Sequence, residues 1–315
     1  LYLSLIGLET TKFNNQIKKK LTNFSKDIEV ELKEVKLVLD PLNFQFNSKT
    51  LGPKIKFKNQ IFELESIKTQ VSLNSIFKDS FPLKNLDIST KSLEIRKLIS
   101  LIRTIKKDPK LFILENFIKK GYILADIKLE FYENGNVKNN YKINGFVKNG
   151  KIDFFKKYDF EKINFNFQVE KEISNFQEIT FLYNGLNLSF EKLTTKNVEN
   201  EVYIDGKIIN KNLIIKENFL KEFFEDSKVK IQKIDLNSEN IFSFKLDKKF
   251  KIKDFKLKSK IKFNEVKILN NFDLENFLKK MNKQINLINH NIEIDYFKNE
   301  FRCRGSGSIL LQKNN

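Results

Sequence analysis

The sequence predicts a mainly β protein with a few helices (α+β), built as an elongated, curved antiparallel sheet whose apolar side forms a groove. Three observations lead there. Apolar and polar residues alternate with period two along most of the 315 residues. Stretches with helical spacing are few and far apart, and the strands between them are joined by short turns, which makes the sheet antiparallel. In the clearest strand, Phe255, Leu257, Ile261 and Phe263 share one face with Ser259, while Lys256, Lys258, Lys260 and Lys262 occupy the other. A face made of lysine is solvated, so such a sheet is covered on one side only.

The chain opens Leu1-Tyr2-Leu3-Ser4-Leu5-Ile6-Gly7-Leu8, without charge. That is shorter than the roughly 20 residues needed to span a bilayer. Residues 1–9 read as the end of a membrane anchor, with a buried first strand or a signal-peptide remnant as the alternatives. Residues 10–315 read as one elongated β-groove region with interspersed helices, since no Pro- or Ser-rich linker marks a boundary.

Thr10 to Phe24 predicts a first helix: Thr10 or Thr11 caps it, and Phe13, Ile17, Leu21 and Phe24 recur at helical spacing. Lys18, Lys19 and Lys20 lie near its C-terminal end, where cations suit the helix dipole. The period then changes to two. Ile28, Val30 and Leu32 alternate in one phase and Val35, Leu37 and Leu39 in the other, which calls for a bulge or bend at Lys33-Glu34. Asp40-Pro41 breaks the run before Leu42, Phe44 and Phe46 resume it. Ile123, Ala125, Ile127, Leu129 and Phe131 form a strand that turns at Glu133-Asn134-Gly135-Asn136, an Asn-Gly hairpin signal. Tyr141, Ile143, Gly145 and Val147 return, and Asn149-Gly150 predicts a further turn. Strands follow at Ile163 to Val169, Leu186 to Phe190 and Val202 to Ile208. Helices are expected at Leu93 to Ile105, at Pro109 to Lys119 with Leu114, Phe117 and Ile118 facing in, briefly at Asn218 to Phe224, and at Asp273 to Leu287. The last has an apolar stripe of Phe277, Leu278, Met281, Ile285 and Ile288. The total is about a dozen to fifteen strands.

Composition excludes more than it suggests. One cysteine, Cys303, rules out an internal disulfide. A single histidine, His290, leaves no His-based metal site or catalytic triad. Gly305-Ser306-Gly307-Ser308 reads as a flexible or bulged strand end rather than a cofactor loop. His290, flanked by Asn289 and Asn291, reads as a surface or turn residue, and Cys303, alternating with Phe301, as an inward-facing strand residue. Glu29 and Glu31 lie on one polar strand face as solvated charges. No catalytic residue, cofactor or metal is expected, and the chain reads as a non-enzyme. The net charge of +18 would suit nucleic acid or an anionic membrane. Lys, Asn, Ile and Phe all have AT-rich codons, so codon bias expressed on a solvated face accounts for much of it. Nucleic acid is set aside as a partner, because lysines and aromatics segregate to opposite strand faces and a stacking platform needs both together.

Several stretches carry a family resemblance. Leu5-Ile6-Gly7-Leu8-Glu9-Thr10-Thr11-Lys12-Phe13-Asn14 looks like a junction between a membrane helix and a first soluble helix. Ile28 to Leu37 with Pro41-Leu42-Asn43-Phe44, and Ile61 to Ile76 with Phe81 to Ile88, look like successive strand pairs. Asp126 to Phe131 with Tyr141 to Gly150 looks like a repeated hairpin with Gly in its second strand. In this order they resemble the N-terminal part of the AsmA-like family, which includes TamB and YhdP. The likeness runs over most of the chain but contains no sharp motif. It implies a periplasmic protein anchored in the bacterial inner membrane, with a bridge-like lipid-transfer groove that carries phospholipid towards the outer membrane. The expected lipid-groove residues are Ile127, Leu129, Phe131, Phe165, Phe167, Phe255, Leu257, Ile261 and Phe263. The expected partners are phospholipid and membrane. An ordinary β core with nothing bound gives the same inward pattern, and a structural or assembly factor of the envelope, pairing a sheet edge with a partner protein, is the alternative function.

Overall fold

The computed structural model of the chain describes residues 2–11, 14, 28–57, 60–73, 83–105, 109–132, 134, 136–154, 158–199, 201–224, 229–249, 251–270 and 281–313. Among these residues there are 18 strands and four helices, and every pairing between strands is antiparallel. No described helix is long and apolar enough to cross a membrane. The chain divides into two units, Leu1–Ser174 and Asn175–Asn315.

The first unit runs α1 (Tyr2–Leu5), β1 (Leu8–Thr10), β2 (Ile28–Glu31), β3 (Val35–Asp40), β4 (Gln45–Leu51), β5 (Lys54–Phe57), β6 (Gln60–Ser72), β7 (Leu83–Thr90), β8 (Leu93–Glu94), α2 (Ile95–Ile105), α3 (Pro109–Phe117), β9 (Ile118–Glu130), β10 (Lys142–Phe154) and β11 (Tyr158–Glu170). Its strands order as β1-β3-β4-β6-β7-β9-β10-β11. The first part of β6 pairs with β5, which carries β2, and β8 pairs with β9.

Period two becomes two unlike faces. Val35, Thr50, Ile67, Ile88, Ile127, Ile143 and Val169 lie directly opposite one another on successive strands. One residue along, on the other face, lie Lys36, Lys49, Lys68, Asp87, Lys128, Lys142 and Glu170, all charged. A row of charges this long is stable only in water. Burial on the apolar row is complete at Val35, Thr50 and Ile67 and partial from Ile88 onward. The densest packing is where α2 sits: Val30, Phe62, Leu93 and Leu101 form a core with Leu32, Ile55, Leu98 and Ile123 around it.

The second unit begins within β12 (Ile173–Tyr183) and continues through β13 (Leu186–Val198), β14 (Glu201–Lys216), α4 (Glu217–Phe224), β15 (Val229–Leu246), β16 (Ile252–Asn270), β17 (Met281–Phe297) and β18 (Glu300–Lys313). Strands β13 to β18 pair in chain order as a meander. Two of its turns are tight: Asn184-Gly185 and Lys298-Asn299 both hold two residues at positive φ, the hairpin geometry that matches strand twist.

Several expectations are corrected. Asn149-Gly150 does not turn the chain. It lies inside β10 as a bulge, with Asn149 at φ 52° and the register shifting between Val147 and Gly150. Asparagine tolerates this conformation whether or not the chain reverses, so the dipeptide alone does not tell a bulge from a turn. Lys33-Glu34 is a full break: β2 pairs with β5, whereas β3 pairs with β1 and β4. The helix expected from Asp273 to Leu287 is contradicted over Met281 to Leu287, which belong to β17; its earlier residues lie outside those described. The helix expected from Thr10 lies almost wholly outside them too, and Thr10 itself ends β1. Leu114 faces out from α3, and Ile118 and Lys119 begin β9. His290 sits in β17 with its ring over Gly307, where Gly lets an aromatic side chain lie flat across the neighbouring strand. Cys303 shares the face of Phe301, as expected, but is exposed.

One chemical device recurs along the ladders. Where a strand amide drops out of the ladder it needs another acceptor, and at four places an asparagine supplies it. Asn85 Oδ1 accepts from Gln70 N, Asn164 Oδ1 from Asn149 N, Asn210 Oδ1 from Ser189 N and Asn237 Oδ1 from Asn212 N, at 2.8–3.1 Å. In every case the asparagine stands on the neighbouring strand.

The charged faces predict an acid response. Glu63 is held below the ordinary glutamate value of 4.5 by hydrogen bonds from Lys91 and Lys54. Gln168 and Lys142 do the same for Glu170, and Lys230 and Lys221 for Glu217. Because each folded-state pKa is depressed, its stabilisation is complete above 4.5 and is lost as pH falls through the folded value. Glu63 is exposed and Glu170 and Glu217 are half-exposed, so each contributes little alone. Protonation also raises a net charge that is already +18. Thermal melts should therefore be flat from about pH 5 to 8 and drop below about pH 4; a Tm unchanged down to pH 3 would show that these pairs are inert.

Candidate functional site

The sequence-predicted residues separate into two sets, one in each unit. In the first unit Ile127 and Leu129 lie on β9, Phe131 just beyond it, and Phe165 and Phe167 on β11. The register puts them on one face: Ile127 opposes Ile143, which opposes Val169, and Gly145 stands between Ala125 and Phe167. Phe165 and Phe167 meet edge to face, with centroids 6.2 Å apart. Phe131 is buried, and the other four are half-buried. In the second unit Phe255, Leu257, Ile261 and Phe263 share one face of β16 with the buried Ser259, and all four lysines between them are exposed.

The second unit gathers more aromatics than the sequence reading named. Phe181, Phe190, Phe242, Phe244, Phe255 and Tyr296 form an unbroken row, with successive centroids 5.5, 6.4, 6.0, 6.3 and 5.7 Å apart. The row crosses β12, β13, β15, β16 and β17, and it passes over β14 at Gly206. A Cβ there would meet Phe242 Cε1 at 2.5 Å and Cε2 at 3.0 Å, so the ring of Phe242 occupies the space a side chain would take. All but Phe255 are half-buried, and Phe255 is more exposed still. At the far end Phe301, opposite Tyr296, is 64% exposed. A polar belt borders the row: Ser259 donates to Asn240 Oδ1 at 2.5 Å, and Asn240 donates to Ser238 Oγ at 3.2 Å. The Phe242-Ser243-Phe244 spacing was the available signal for the missed rings.

On the other face of the same strands Lys192, Lys207, Ile241, Lys258, Asp295 and Arg302 form a cross-strand row. A shallow depression of about 440 Å³ lies along it, with Lys256 and Phe297 in its lining. Lys207 is bound there by Glu191 and Glu239, whose hydrogen bonds raise its pKa. Lys256 stands over the Phe297 ring at 4.9 Å. Among the described residues no cluster of three His, Cys, Asp or Glu side chains could hold a metal ion. The arrangement offers apolar contact on one face and screened charge on the other.

No known protein family, curated protein or solved structure matches the chain.

Proposed function

We propose that the chain is a non-enzymatic protein of the cell envelope whose apolar sheet faces are stretches of a β-groove that bind phospholipid acyl chains. In this reading it works in the periplasm, anchored in the inner membrane, and contributes to lipid transport between inner and outer membrane, as the resemblance to the AsmA-like family implies. The observation that carries the proposal is the half-exposed row of six rings in the second unit, backed by a charged face. Aromatic and aliphatic surface of this extent costs roughly 25 cal/mol per Å² when left in water, so it favours an apolar ligand. The row lacks a fixed pattern of inward donors, which suits acyl chains bound without sequence-like specificity.

The test is mass spectrometry of lipid extracted from the natively purified protein. Wild type should carry phospholipid. A Phe242→Asp, Leu257→Asp double variant should lose it, while Lys258→Asp, which lies on the other face, should keep it. Protein that is folded by circular dichroism yet free of lipid in the wild type would sink the proposal. A second reading, an assembly factor that pairs strands, has one observation in its favour: β18 pairs only with β17 among the described residues and exposes Phe301, Ile309 and Leu310. Slowed hydrogen exchange at β18 in the presence of envelope extract, with no lipid bound, would support it instead.

A further inference from the structure

Helix α3 concentrates large apolar residues, Leu111, Phe112, Ile113, Leu114 and Phe117, with Lys110, Glu115 and Asn116 between and beside them. Phe117 ties its C-terminal end to the first unit, with its ring stacked on Phe154 at 4.2 Å. It presents three consecutive large apolar residues, Phe112, Ile113 and Leu114, which are 55%, 44% and 43% exposed. Ile102 on the neighbouring α2 is exposed as well. A helix whose described side chains are at best half-buried, and which shows three bare large apolar residues, is not a solvated surface helix.

The charges around it indicate what covers this patch. Residues 95–120 hold eight basic residues, Arg96, Lys97, Arg103, Lys106, Lys107, Lys110, Lys119 and Lys120, against two acidic ones, Asp108 and Glu115. Glu115 is already paired with Arg103, and Arg103 also stands over the Phe112 ring at 5.2 Å. That pair cancels one charge of each sign and leaves the basic excess of the segment unchanged. Lys119 and Lys120 are exposed at the start of β9, directly after the helix. A small apolar wedge followed by two exposed lysines, in a strongly basic stretch of sequence, matches the boundary between acyl chains and anionic headgroups, where apolar side chains sit below the headgroups and the cations among them.

We propose that α3 docks the first unit onto an anionic lipid bilayer, with Phe112, Ile113 and Leu114 inserted at the headgroup boundary and the exposed Lys119 and Lys120 bound to lipid phosphates. This contact is separate from the apolar faces proposed to hold acyl chains, and it stands or falls independently of them.

The test is co-sedimentation of the full chain with vesicles of phosphatidylglycerol and phosphatidylcholine, compared with phosphatidylcholine alone. Binding to the anionic vesicles should exceed binding to the neutral ones by about tenfold and weaken with added salt. Phe112→Ser, Ile113→Ser, Leu114→Ser should cut it about tenfold, as should Lys119→Glu, Lys120→Glu. A second measurement avoids the question of whether the triple variant folds. In a Cys303→Ser background, Ile113→Cys carrying an environment-sensitive fluorophore should shift to the blue on anionic vesicles, whereas a label at Lys258→Cys should not. The Phe242→Asp, Leu257→Asp variant should keep full vesicle binding, which separates this contact from the lipid-holding faces. Equal binding to both vesicle types, wild-type binding by the triple variant, or no shift at position 113 would each overturn the proposal. So would a wild-type dimer that the triple variant converts to monomer without any vesicle binding, because the patch would then be a contact between copies.

Discussion

Phe62→Ala should destabilise the first unit by about 3–5 kcal/mol, while Phe242→Ala should cost the second unit roughly 1 kcal/mol. The residue type is the same and both stand on the apolar face of an antiparallel sheet. What differs is cover. Phe62 is 2% exposed, and it packs in the cluster of Val30, Leu93 and Leu101 that α2 closes. Deleting its ring removes the full transfer energy and leaves a cavity that the surrounding strands and helix cannot fill by collapse. Phe242 is half-buried, held between Gly206 below and the rings of Phe190 and Phe244 beside it. Water already reaches its ring, so removing it forfeits only part of the burial and leaves no closed void. Urea unfolding, with hydrogen exchange to assign each loss to its own unit, measures both. Equal losses would mean that the second unit's face is as well covered as the first unit's core, and the proposal that it receives a ligand would lose its basis. The expected inequality would show that the aromatic row contributes little to stability, which leaves binding as its use.

What could be read from the sequence was whatever depends on alternation alone. The mainly β class, the antiparallel meander, α2 and α4 and the one-sided faces all follow from period two, from sparse period 3.6 and from runs such as Lys256 to Lys262. What could not be read was phase. In β6, Phe62 and Leu64 are buried, and so are Ile67 and Thr69, because an irregularity between Leu64 and Ser66 restores the apolar face after one residue is skipped. Such a slip breaks the pattern locally and leaves no composition signal, and the same is true of Asn149-Gly150. The asparagines that serve the bulge amides were hidden for the same reason: each acts on a neighbouring strand, 15–25 residues away. The error over Met281 to Leu287 came from Met281, Ile285 and Ile288 falling at spacings of four and three. In β17, Ile285 and Leu287 take the apolar face and Ile288 takes the other, where it opposes Glu265 and Ser308. Of the candidate site, the β16 residues were legible because lysine marks every alternate position. Phe181 and Tyr296 were not, because their membership in the row depends on cross-strand register.

The glycines on the apolar faces give the last prediction, and its size is set by what a methyl group would strike. Neither Gly145 nor Gly206 has positive φ, so conformational freedom is not the reason for either. Each lies under the ring of the aromatic residue opposite it, Phe167 in β11 and Phe242 in β15. At Gly145 a Cβ would meet the Leu124 carbonyl oxygen, lie 3.0 Å from Ala125 Cα and lie 2.8 Å from Phe167 Cζ. Two of those three atoms are backbone of β9 and cannot step aside without breaking the ladder. Gly145→Ala should therefore cost about 3 kcal/mol, the upper end of the overpacking range, with Gly145→Val worse. At Gly206 the nearest atoms all belong to the Phe242 ring. A ring on a half-exposed face can rotate away, so Gly206→Ala should cost only about 1 kcal/mol. Its effect should appear elsewhere: moving Phe242 opens the 6.4 Å contact with Phe190 and splits the row in two. A near-native melting temperature for Gly206→Ala, together with a clear loss of co-purified lipid, is the expected pair of results. Full lipid retention in a variant whose ring has moved would show that the continuity of the row is not what holds the ligand, and would shift attention to the aliphatic part of the face around Leu236 and Val266.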